Sequence, residues 1–119
     1  MPDENTSQVT GLLHRLIGGS GDARVEVLAR AASSTSPPLL VAAALLARDP
    51  GVLTRAGRHA ATVRDRQLVA LAGARLRGDE DLFDALVRDH LAEHPDNLLA
   101  AWIAGQDPEA ADPPNRSTS

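Results

Sequence analysis

The stretch Val63–Gly105, VRDRQLVALAGARLRGDEDLFDALVRDHLAEHPDNLLAAWIAG, reads as helix, tight turn, helix, proline break, helix. From Arg64 to Arg77 nearly every residue is a strong helix former. Its apolar residues Leu68, Val69, Leu71, Ala72 and Leu76 cover more than one stripe, so neighbours are expected on two sides. Gly78 is suited to the left-handed conformation that ends a helix. Asp79 can then cap the first amides of the next, with Glu80 and Asp81 at its positive end. Leu82, Phe83, Leu86, Val87 and Leu91 recur at spacings of three and four and form one broad face. Pro95 biases His94 out of the helical region, and Asp96 is placed to cap a last helix, Asn97 to Gly105.

The rest of the chain repeats this layout in a more degraded form. Ser7 is placed to cap a first helix running to about Ile17, followed by the break Gly18-Gly19-Ser20-Gly21. Asp22 is expected to cap a second helix through about Ala32, with Val25, Leu28, Ala29 and Ala32 on its buried side. Pro37-Pro38 suit the opening of a helix whose body is Leu39 to Arg48, and Asp49-Pro50-Gly51 is the next turn, before a shorter helix from Val52 to Ala61. Residues 1–6 and 106–119 lack apolar periodicity and read as disordered tails around a single domain, 7–105. Setting Gly21–Arg48, Asp49–Arg77 and Gly78–Gly105 under one another aligns Val25 with Leu53 and Leu82, Leu28 with Ala56 and Ala85, Leu40 with Val69 and Leu98, and Ala43 with Ala72 and Ala101. Helical hairpins that cannot bury their own apolar faces produce such a pattern by stacking.

Composition agrees with an all-α fold of about seven helices. The 119 residues include about 21 alanines and about 17 leucines, one Phe, one Trp, no Tyr and no Cys. A core of that kind is made by close approach of helices, with leucine filling the gaps, and lacks the aromatic and β-branched content of sheets. All 12 basic residues are arginine, as a high-GC bacterial genome of actinobacterial type would encode. The net charge of -4 is uneven: six arginines against five acids up to residue 60, six against eleven beyond it. Neither half carries the basic stripe that phosphate binding needs, which disfavours nucleic acid. The absence of cysteine excludes disulfides and thiolate metal sites. The polar start MPDENTSQ is no secretory signal, and the longest apolar run, Leu39 to Ala47, is too short to span a bilayer. A cytoplasmic location is the expectation.

The segment Arg66 to Trp102, above all LRGDEDLFDALVRDHLAEHPDN, resembles a bacterial tetratricopeptide repeat (TPR): a first helix ending in Gly78-Asp79, a second with interspersed Leu and Ala, and a closing Pro95-Asp96-Asn97. Gln67 and Ala74 stand where that family has large aromatics, and Phe83 where it has a small residue. The resemblance implies a right-handed stack of antiparallel hairpins, a TPR-like α-solenoid fragment, whose usual work is holding another protein. It implies no chemistry and no cofactor. Since the first helix of each pair lines the concave face in such a stack, Arg64, Gln67, Leu71 and Arg75 are the candidate partner-binding residues.

Three motifs invite other readings. His90-Leu91-Ala92-Glu93-His94 matches H-x-x-E-H, in which two histidines hold zinc and the glutamate acts as base, giving a zinc-dependent hydrolase. A third ligand is missing, and the plainer reading is two half-buried histidines packed at a helix end. Gly18–Gly21 could cradle an anion but lacks the lysine and strand of a nucleotide site. Val52 to Arg66, with Arg55, Arg58, Arg64 and Arg66, is the only stretch a DNA-associated regulator could use for recognition. The leading expectation is therefore a noncatalytic protein-interaction module or small adaptor, whose partner is a peptide or helix. An exposed leucine-rich end could also pair with a second copy.

Overall fold

The computed structural model describes residues 6–105, and these form seven α-helices and no strand. In chain order they are α1 (Thr6–Ile17), α2 (Gly21–Ala31), α3 (Pro37–Ala47), α4 (Pro50–His59), α5 (Val63–Arg77), α6 (Glu80–Glu93) and α7 (Leu98–Gly105). The expected tails fall outside the described residues, apart from Thr6, which opens α1.

One turn geometry recurs after α1, α3 and α5. Gly19, Arg48 and Gly78 each take a left-handed conformation, with φ of 95°, 53° and 76°. The next residue then sends its amide back to the helix it has just left: Ser20 to the Arg15 carbonyl, Asp49 to Ala44, Asp79 to Ala74, all at 2.9 to 3.0 Å. This closes the helix in the Schellman manner. The same three residues cap the following helix through their side chains, Ser20 accepting from the Ala23 amide, Asp49 from Gly51 and Asp79 from Leu82. The chain thus turns sharply at each of these points, and α1 packs on α2, α3 on α4 and α5 on α6.

Two cap assignments move. Ser20, not Asp22, caps α2, and Asn97, not Asp96, caps α7 by accepting the Ala100 amide through its Oδ1. In both places two capping residue types lie close together in sequence, and the geometry of the preceding turn decides between them. Ser7 lies inside α1 rather than before it.

The buried face of α2 is also corrected. Ala23, Val27 and Ala31 are buried, whereas Val25 is 68% and Leu28 42% exposed, and Ala29 and Ala32 face outward. The alignment that set Val25 with Leu53 and Leu82 therefore joins a buried residue to two exposed ones. The caps Ser20, Asp49 and Asp79 give intervals of 29 and 30 residues instead, a register in which buried Leu53 falls with buried Phe83.

The core centres on α3, where Leu39 to Ala44 are six consecutive buried residues. A helix buried all round needs neighbours all round, and α2, α4 and α5 supply them. Small residues set the spacing of α4 and α5: Gly73 lies against the Leu53 side chain and Gly57 against Val69. Beyond chain neighbours, α3 packs on α5, and α7 returns to α1, joining the first helix to the last. No described helix is long and apolar enough to cross a membrane.

Candidate functional site

The N-terminal ends of α3, α5 and α7 meet beside α1 and leave a cleft of about 190 Å³. Leu13 and Ile17 of α1, Pro38 of α3, Leu68 of α5 and Leu99 of α7 give it an apolar floor. Thr10, His14, Arg64, Asp65, Asp96 and Asn97 form a polar rim, and Leu98 stands beside them half exposed. Two of its walls are fixed by capped helix starts: Thr62 caps α5 by accepting the Asp65 amide, and Asn97 caps α7. Arg64 bridges to Asp96 across the rim at 3.6 Å.

Beside this cleft runs a polar chain that is buried at Asn97 and His90 and reaches the surface at Glu93. His90, 1% exposed on α6, lies 2.7 Å through Nδ1 from Gln67 Oε1 on α5 and 2.8 Å through Nε2 from Asn97 Nδ2. Asn97 Oδ1 accepts the Ala100 N–H, so its amide nitrogen must face the histidine. His90 Nε2 is therefore the acceptor, and Nδ1 carries the hydrogen it donates to Gln67. Gln67 in turn donates to Glu93 at 3.2 Å. Every donor from the Ala100 amide to the Glu93 carboxylate points the same way, an arrangement in which successive bonds strengthen one another. It requires a neutral His90. Burial pushes the His90 pKa below its ordinary 6.5, the charges of His94 and Arg64 push it the same way, and Glu93 alone opposes.

The four expected partner-binding residues of α5 do not form one open surface. Leu71 is fully buried, and Gln67 is taken up by His90 and Glu93. The Arg75 guanidinium lies 4.0 Å over the Phe83 ring and donates to the Ile103 carbonyl of α7 at 3.3 Å. Only Arg64 reaches the cleft. The face expected to grip a foreign peptide is largely occupied by the chain's own α6 and α7.

His90 and His94 lie with ring centroids 4.9 Å apart; His94 is half buried, whereas His90 is buried outright. Both ring nitrogens of His90 are engaged by amide side chains, and among the described residues no three His, Asp or Glu side chains are grouped to hold a metal ion. The arginines proposed for DNA sit on two helices, divided between His59 and Val63. Arg55 donates to the Ala32 and Ser34 carbonyls, Arg66 to Ala61, and Arg64 pairs with Asp96, so three of the four are turned to the chain itself.

Sequence reading missed Asn97 as a functional group and missed α1 as a wall of the site. The Pro95-Asp96-Asn97 run carried a usable signal, because a helix start seven residues beyond a histidine can bring a capping amide to its ring. The approach of α1 to α7 carried none. Comparisons with protein-family models, with curated proteins and with solved structures return no match for this chain.

Proposed function

We propose that this chain is a noncatalytic interaction module that seats one apolar side chain of a partner protein in the cleft between α1, α3, α5 and α7. The observation that carries the reading is the cleft itself. At about 190 Å³ it falls below the roughly 300 to 1,000 Å³ usual for small-molecule sites, and it suits a single large side chain over an apolar floor. Asp65 on its rim, in the half of the chain that holds eleven of the sixteen acids, favours a basic residue beside that anchor, whereas Asp96 already faces Arg64. The turn that recurs at Ser20, Asp49 and Asp79 supports a stack of three hairpins, similar to tetratricopeptide repeats, as the architecture of the module, with α7 folded back as an added wall.

Selection from a random peptide display library tests this without a known partner. The expected result is enrichment of peptides with one large apolar residue next to Arg or Lys. That enrichment should disappear for Leu98→Glu, a change at a half-exposed rim position. No enrichment, or a consensus indifferent to Leu98→Glu, would sink the reading.

A further inference from the structure

We infer that His90 is a proton-operated latch on α7: protonation at Nε2 breaks its bond to Asn97 and frees the helix whose first turn forms one wall of the cleft. The inference rests on the proposed function for its consequence, regulation of the cleft, but not for its mechanism.

The mechanism follows from the direction of the hydrogen bonds. A proton on Nε2 turns that atom into a donor facing the NH2 of Asn97, 2.8 Å away. Asn97 cannot turn its amide over to offer oxygen without withdrawing Oδ1 from the Ala100 N–H, the side-chain cap of α7. Protonation must therefore cost either the His90–Asn97 bond or the cap. The charged groups around the ring add to this cost: His94 on the same helix and Arg64 on α5 both repel the new charge, and Glu93 on α6 opposes them. Helix α7 has no ionisable residue of its own, and Asp96 just before it is directed to Arg64. No other side chain in the Ala100-to-Glu93 chain can absorb the change, because each already donates in the only direction available.

The sign is set by the lowered pKa. The docked form resists the proton, whereas a form with α7 released opens the ring to water and takes the proton up at a higher pH, closer to the ordinary 6.5. Docking is thus fully supported above that pH, and support is lost as the pH falls through it toward the lowered value of the docked form.

Trp102, half buried on α7 and the only tryptophan, reports docking directly. In the full chain, acidification from about pH 8 to about pH 5 should shift its emission to the red while the far-ultraviolet helical signal is largely kept. The decisive variant is Asn97→Asp. A carboxylate still caps the Ala100 amide, and it accepts from a protonated Nε2, so acid should now hold α7 in place and the red shift should vanish. Nitrogen NMR of the wild type supplies a second readout that depends on no variant, and at neutral pH it should show His90 with its hydrogen on Nδ1. Emission that ignores pH, an Asn97→Asp protein that follows the wild-type curve, or a hydrogen on Nε2 would each overturn the latch. None of these measurements involves a ligand, so a failed peptide selection and a failed latch remain separate results.

Discussion

Arg75 shows how a half-buried charge is accommodated beside a core built from alanine and leucine. Its guanidinium lies on the face of the only phenylalanine, where the ring quadrupole favours a cation. One edge reaches the Ile103 carbonyl, in the last turn of α7, where helix carbonyls run out of partners and a positive charge suits the dipole. The same side chain thus holds α5, α6 and α7 together. Arg75→Met keeps the length of the stem and removes both contacts, and the expected loss is about 2 kcal/mol. Arg75→Lys should restore only part of it, since a point charge cannot stack on Phe83 and present a second donor edge to Ile103. Urea unfolding with an unchanged denaturant slope checks both. A methionine variant as stable as the wild type would mean that Arg75 only fills space.

Helix α2 carries apolar residues on two sides, and the structure chose the smaller set. Ala23, Val27 and Ala31 face inward, where small side chains let α2 lie close to α1 and α3, and at its outer edge Arg15 of α1 reaches Glu26, which also pairs with Arg30. The consequence is a sharp contrast between adjacent residues. Val27→Ala should cost about 2 kcal/mol, whereas Leu28→Gln should stay within about 0.5 kcal/mol, as read from thermal melts. Equal costs would show that α2 buries both sides. The same helix marks where the sequence stops being legible. Residue types that act on their own backbone could be read directly: Gly78 and Asp79 at their turn, Pro37-Pro38 opening α3, and Pro95 closing off α6. Choices made by a neighbouring helix could not. Periodicity finds two stripes on α2 without saying which one meets α1, and it finds Asp22 or Asp96 as a capping residue without seeing that the preceding turn leaves Ser20 and Asn97 at the helix starts. The cleft was legible for the same reason only at Arg64, because its other walls come from α1, α3 and α7, which approach in space and not in sequence.

At the level of the whole molecule the decisive contact is that of α7 with α1, between the two ends of the described chain. A linear array of hairpins has only near-neighbour contacts, and damage at one end stays there. Here the ends support each other, and Ile103, fully buried near the end of α7, lies in the common core that also holds Leu12 and Leu16 of α1. Ile103→Ala should cost about 3 kcal/mol, the usual range for a large aliphatic truncated at a site that cannot collapse. The distribution of that loss separates closure from a simple array. If α7 closes the fold onto α1, native-state hydrogen exchange in the variant should quicken at the α1 amides from Leu12 to Leu16 together with those of α7, while α3 and α4 keep more of their protection. If the loss is confined to α6 and α7, α1 draws its stability from α2 alone, and the cleft between α1 and α7 is a gap between independently held helices instead of a site the fold maintains.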